Sequence, residues 1–238
     1  MPQKFDHPPK KILVTGASGS GKTTLAEKLM RSERARLKFV FDHDGQFSSR
    51  FGVEPVCGSG LLDEAVAKGG WVCYDPSEDF EDDFPKGLQF FCAYVLAQSK
   101  QLRGRKLFYC DEIDLLTTTT LYPRELVAML QTGRRYEIDA VLIAGQPNRL
   151  HNCIRTQLTE LYTFIHTDEP ALKFLVENGI PEETIRSLGK HGWCYRHLRT
   201  GECKSSSRKY VNLPDVEKPD TGKASTRVPE TPADAQGS

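Results

Sequence analysis

Residues 11–25, KILVTGASGSGKTTL, constrain this chain more than any other stretch. A short aliphatic run, Ile12-Leu13-Val14, leads into a loop punctuated by Gly16, Gly19 and Gly21. Lys22, Thr23 and Thr24 then open a helical pattern. Strand, glycine-rich loop and helix carrying G-x-x-x-x-G-K-T is the arrangement that holds a phosphate chain. Glycine has no Cβ, so the successive N–H groups of Gly16, Ala17, Ser18, Gly19, Ser20 and Gly21 can close on phosphate oxygens. The dipole of the following helix adds to their pull. In loops of this kind the lysine, here Lys22, reaches the β- and γ-phosphates, and the next hydroxyl, here Thr23, meets Mg²⁺. The implied ligands are ATP and Mg²⁺, because no N-K-x-D-like guanine-reading segment accompanies the loop.

The 238 residues suffice for one substantial α/β core, and no long apolar run suggests a membrane span or signal peptide, so a soluble, cytoplasmic chain is expected. Lys plus Arg balance Asp plus Glu at 32 each, so any basic surface for nucleic acid must be local. The cysteines lack C-x-x-C spacing, and Cys73 and Cys110 lie in strand-like runs, which predicts reduced, mostly buried thiols. His191, Cys194, His197 and Cys203 have the residue types of a zinc site. A hairpin turning at Thr200-Gly201 would pair Leu198 with Cys203 and Cys194 with Ser207, separating the ligands, so no metal is expected there.

Residues 1–10 read as an N-terminal arm, 11–213 as one P-loop domain and 214–238 as a disordered tail too poor in large apolar residues to fold alone. Between them, strand patterns at 12–14, 37–41, 71–74, 106–110, 140–144 and 161–166 alternate with helical patterns at 23–34, 61–68, 88–102, 122–135 and 170–178. A further short helix is expected near 153–158 and a hairpin at 192–207. Asp42 to Gly45 is turn chemistry, and the acidic run 78–83 reads as a solvated loop. Such alternation predicts an α/β fold with a mostly parallel sheet and helices on both faces.

The strand KLFYC runs directly into Asp111-Glu112. Opposite a phosphate loop, Asp111 would hold Mg²⁺ and Glu112 would orient and deprotonate the attacking water. Gln146, just past the next strand, is placed to reach the γ-phosphate or that water, since ligands gather at the carboxyl ends of such sheets. The plainer reading of Gln146 is a polar turn residue before Pro147. Arg134 and Arg135 follow Gly133 near a predicted helix end, where their plainer role is to complement the helix dipole.

The segment LFYCDEID, followed by TGRRYEIDAVLIAGQPNRLHNCIRTQ, resembles the FtsK–HerA superfamily of P-loop DNA-pumping ATPases. Within it, the short form looks most like genome-packaging ATPases of tailless icosahedral phages with internal membranes. The resemblance spans roughly residues 10–205 and includes Tyr74-Asp75-Pro76 and the late hairpin. It implies a homo-oligomeric ring, a hexamer by this resemblance, around double-stranded DNA, with capsid or portal-vertex partners. It places the chain in the host cytoplasm and at the packaging vertex of the virion. It also implies Gln146 as a sensor and Arg134 or Arg135 as an arginine finger acting in trans. No separate DNA-reading domain is present, and the resemblance leaves Thr117 to Thr120 unassigned. A nucleoside-type kinase shares the loop, but gains little from a water-activating Glu112. A filamentous-phage assembly ATPase would be expected to carry a membrane span.

Overall fold

The computed structural model describes residues 8–206; most of the N-terminal arm and the whole of 214–238 lie outside the described residues. Among these, nine strands form one sheet in the order β3-β4-β2-β5-β6-β1-β7-β8-β9. The strands are β1 (Lys11–Thr15), β2 (Leu37–Phe41), β3 (Val56–Cys57), β4 (Gly70–Asp75), β5 (Lys106–Cys110), β6 (Ile138–Ala144), β7 (Glu160–Thr163), β8 (Trp193–His197) and β9 (Cys203–Ser206). Those from β1 to β7 pair in parallel, and β8 and β9 add an antiparallel edge. No helix among the described residues is long and apolar enough to cross a membrane.

Every residue of β1, β5 and β6 is buried, as central parallel strands covered on both faces require. Alternate side chains enter two cores. Leu13, Phe108 and Leu142 join one, and Val14, Tyr109 and Val141 join the other. The first core is closed by α5 (Phe84–Gln101) and α7 (Arg124–Tyr136), through Leu88, Phe91, Val95, Leu126, Met129 and Leu130. The second is closed by α1 (Lys22–Ser32), through Leu25, Ala26 and Met30. Shorter helices fill the connections: α2 (Gln46–Phe51), α3 (Leu62–Lys68), α4 (Ser77–Phe80), α6 (Ile113–Leu116), α8 (Asn152–Arg155), α9 (Glu169–Glu177) and α10 (Glu182–Ser187).

Two details fix how α7 returns to the sheet. Gly133 allows close approach, because a Cβ there would stand 2.8 Å from the Ile138 carbonyl oxygen. Lys106, at the buried start of β5, donates its amine to the carbonyl oxygens of Leu102 and Tyr136 and so caps the ends of α5 and α7 together. A cation complements both helix dipoles there, while burial lowers the lysine pKa.

Two local expectations are corrected, and a short helix is added after the expected turn at 42–45. The turn after β2 continues into α2, because the buried Asp42 carboxylate accepts the Phe47 and Ser48 N–H groups at 2.9 and 2.8 Å. The acidic run 78–83 is exposed as expected, apart from the half-buried Phe80, but it is only partly loop. It contributes to α4, Asp79 accepts from the Tyr74 hydroxyl at 2.7 Å, and Asp83 caps α5. The late hairpin pairs Cys194 with Ser205 and Arg196 with Cys203, two residues out of the expected register. The cause is a wider turn closed by His197 N–H to Glu202 O at 2.8 Å, and it brings the two sulfurs of Cys194 and Cys203 to 3.6 Å. Cys57 and Cys203 are exposed, whereas Cys73, Cys92, Cys110 and Cys194 are buried.

Candidate nucleotide-hydrolysis site

The candidate site gathers at the carboxyl ends of the adjacent strands β5, β6 and β1. The phosphate loop leaves β1 at Thr15, and Gly16, Gly19 and Gly21 all take positive φ, at 154°, 69° and 108°. Gly16 is packed hard against the neighbouring strand end. Ala17 N–H donates to Ile165 O at 3.0 Å, and Phe164 N–H donates to Thr15 O at 2.8 Å. The apex at Ser18 and Gly19 is exposed, and the helix α1 starts directly from Gly21, so its unpaired N–H groups face the loop.

Lys22 folds back and donates to Ala17 O at 3.1 Å. Burial lowers its pKa, while the Asp111, Asp114 and Glu112 carboxylates raise it. Thr23 Oγ1 donates to Asp111 Oδ2 at 3.3 Å, and the Tyr109 hydroxyl donates to the same oxygen at 3.2 Å. The other oxygen accepts the Glu112 N–H at 2.7 Å. Desolvation nevertheless holds the Asp111 carboxyl above the ordinary carboxylate range. Thr23 and Asp111 thus present hard oxygen donors to one point, the ligand type that Mg²⁺ takes.

Glu112 adopts a left-handed backbone, φ 48°, unusual for a residue with a side chain. That conformation ends β5 abruptly and starts α6. The Glu112 side chain is half exposed, 4.0 Å from His43 Nε2, and its pKa is raised first by burial and then by Asp111. A carboxylate poised upward in this way is a better proton acceptor than an ordinary one. Gln146 is exposed at the end of β6, the strand between β5 and β1. Thr24, in the first turn of α1, is partly buried next to Lys22 and Thr23.

Lys22, Thr23, Asp111, Glu112 and Gln146 are therefore brought to one edge of the sheet. Arg134 and Arg135 are not. They occupy the last turn of α7, exposed, at the amino edge of β6. The seven residues of β6 separate the two edges by roughly 23 Å, so neither arginine serves its own phosphate loop. Arg135 lies over the Tyr136 ring at 5.4 Å.

The family model of the type IV secretion-system coupling protein DNA-binding domain matches residues 1–57. Among solved structures, the genome packaging NTPase B204 from Sulfolobus turreted icosahedral virus 2 in complex with AMP superposes with a TM-score of 0.66 at 15% identity, covering 86% of this chain and 100% of that one. Its complex with AMPPCP gives 0.65 at 14%, covering 84% and 97%. The chain has the fold of these packaging NTPases. VirB4 of Thermoanaerobacter pseudethanolicus shares this fold at a TM-score of 0.57 and 10% identity, over 89% of this chain and 92% of that one. No curated protein sequence matches the chain.

Sequence reasoning missed two members of this P-loop neighbourhood. His166 is buried where the segment after β7 passes the loop, with Nε2 3.1 Å from Thr15 Oγ1 and Nδ1 3.4 Å from Asp168 Oδ1. The other is Asp114, whose buried carboxylate lies two residues after Glu112. The D-E-I-D spacing was the signal for it, since α6 turns the second aspartate back toward the strand ends.

Proposed function

We propose that the chain is an ATP-hydrolysing DNA translocase. The observation that carries this reading is the placing of Glu112 at the end of β5 directly after Asp111, whose carboxylate accepts from Thr23 of the phosphate-loop helix; burial raises the Glu112 pKa. A transfer to a hydroxyl acceptor needs a pocket for that acceptor, whereas hydrolysis needs a base that can take a proton from water. Thr23 and Asp111 would hold Mg²⁺, which supplies charge neutralisation on the phosphate oxygens when bound. The chain's own groups do the rest. The loop N–H groups and Lys22 bind the phosphates, Glu112 takes the proton of the attacking water, and the Gln146 amide orients it.

The likeness to a DNA-binding coupling-protein domain and to a viral genome packaging NTPase supports DNA as the polymer moved. On this reading, identical subunits form a ring around duplex DNA and package it into a preformed capsid at a virion vertex. Arg134 or Arg135 then meets the neighbour's γ-phosphate. Their position at the far edge of the sheet, exposed and remote from their own loop, suits that role and not a finger acting on their own phosphate loop. The test is ATP turnover with and without duplex DNA. Stimulation by duplex of any sequence, weakening as salt rises, is expected because phosphate contacts release counterions. Stimulation by a nucleoside, with phosphate recovered on it, would establish a kinase instead.

A further inference from the structure

We propose that Asp114 is a positioning residue that locks Gln146 to the hydrolytic acidic pair, so that the sensor and the water-activating carboxylate form one rigid unit. The inference rests on the hydrolase reading of Glu112 and Gln146. Asp114 lies in α6, immediately after the left-handed Glu112, and its side chain is buried. One carboxylate oxygen accepts the Gly145 N–H at 3.1 Å and the other accepts the Gln146 N–H at 2.7 Å. Two successive backbone donors at the end of β6 thus share a single carboxylate carried by the end of β5.

The geometry has a physical reason. Where β6 stops, the Gly145 and Gln146 N–H groups have left the ladder to β1, whose last paired residue is Ala144. These partly buried donors need new acceptors, and a carboxylate supplies two at the strength of charge-assisted bonds. Asp114 in turn must not be left as an uncompensated buried charge. The two N–H groups and the nearby Lys22 ammonium, which feels Asp114, meet that need. The tie on its other side is equally short. Ile113 is buried, and Leu115 N–H donates to Glu112 O at 2.8 Å, so α6 cannot swing away from Glu112 without breaking its own turn. Fixing the Gln146 backbone at 2.7 Å from one side and the Glu112 backbone one turn away sets the distance between the side chains that must act on the same water. A positional error of about 1 Å at such a centre costs on the order of a hundredfold in rate.

The test uses the full-length protein and four forms: wild type, Asp114→Asn, Gln146→Ala and the double substitution. Asp114→Asn keeps the shape but turns an NH₂ toward one of the two N–H donors. The expected result is a fall in kcat of roughly ten- to a hundredfold. Affinity for a non-hydrolysable ATP analogue should stay near wild type, while the one unpaired N–H lowers the melting temperature by a few degrees. Gln146→Ala should lower kcat similarly, and adding Asp114→Asn to it should cost little more, because the sensor being positioned is already gone. In the wild type itself, the Gly145 and Gln146 amides should exchange slowly with solvent although Gln146 is exposed. Full activity of Asp114→Asn with impaired Gln146→Ala would overturn this inference and leave the hydrolase reading intact. Multiplicative effects in the double variant, or fast exchange of both wild-type amides, would also overturn it. Full activity of Gln146→Ala would remove the sensor and the inference together.

Discussion

Gly16→Ala probes the phosphate loop at the point where the fold leaves it least room. A Cβ there would stand 2.6 Å from Phe164 Cβ and 2.8 Å from Ser20 Oγ. The Ser20 hydroxyl can rotate, but Phe164 Cβ moves only with its backbone, which is tied to β1 by the bond to Thr15 O. Restoring an ordinary carbon contact of about 3.5–4.0 Å requires a displacement of roughly 1 Å. Charge-assisted N–H bonds to phosphate act at about 2.7–2.9 Å, so a shift of that size removes those nearest Gly16. Each is worth about 1.5–3 kcal/mol, and losing two weakens binding by about 3–6 kcal/mol, a factor of roughly a hundred or more. Overpacking costs a further ~1–3 kcal/mol of stability. Calorimetric titration with a non-hydrolysable ATP analogue, run beside thermal denaturation, measures both. Gly19→Ala is the internal control, because nothing lies within 4 Å of its Cβ and only its φ of 69° opposes the substitution. That strain costs about 1–2 kcal/mol, so Gly19→Ala should bind more tightly than Gly16→Ala. Binding by Gly16→Ala within about threefold of wild type, or a reversed order of the two, would refute the steric argument.

Glu112→Gln keeps the side-chain shape and removes the proton acceptor, so it should bind ATP normally and hydrolyse it at least about a hundredfold more slowly in single-turnover assays. Arg134→Ala or Arg135→Ala should bind ATP normally yet turn it over poorly, by roughly a thousandfold where such fingers act. Mixing that variant with Lys22→Ala subunits should restore some turnover, and absence of rescue in mixed rings shown to form would exclude trans action. Burial lowers the His166 pKa below its ordinary 6.5, with the Asp168 hydrogen bond only partly opposing it. The unfolded chain then binds a proton that the folded chain refuses, so stability should fall as pH drops below about 6.5 toward the folded value. Thermal melts at about pH 5–8 should show that slope in wild type and a weaker one in His166→Asn.

The parts of this protein that the sequence announces are those set by local chemistry. The phosphate loop declares itself because three glycines, a lysine and a threonine occupy fixed spacings, and the structure gives each of those glycines a positive φ. The central strands were legible because β1, β5 and β6 are buried on both faces and so read as continuous apolar runs. What stayed hidden depends on contacts between distant residues. Asp42 looked like a turn residue, and only its capping of Phe47 and Ser48 reveals α2. Asp114 and His166 matter through partners 31 to 151 positions away, at Gly145, Gln146 and Thr15. The hairpin register slipped by two because turn length, not hydrophobic pattern, decides it on a strand pair whose outer member is exposed.

Movement along DNA is the central claim, and displacement of a triplex-forming strand from duplex DNA reads it directly. Wild-type protein with ATP should strip the third strand, and Glu112→Gln, which still binds ATP, should leave it in place. Robust ATP turnover on the duplex with the third strand undisturbed would contradict translocation, as would equal displacement by Glu112→Gln.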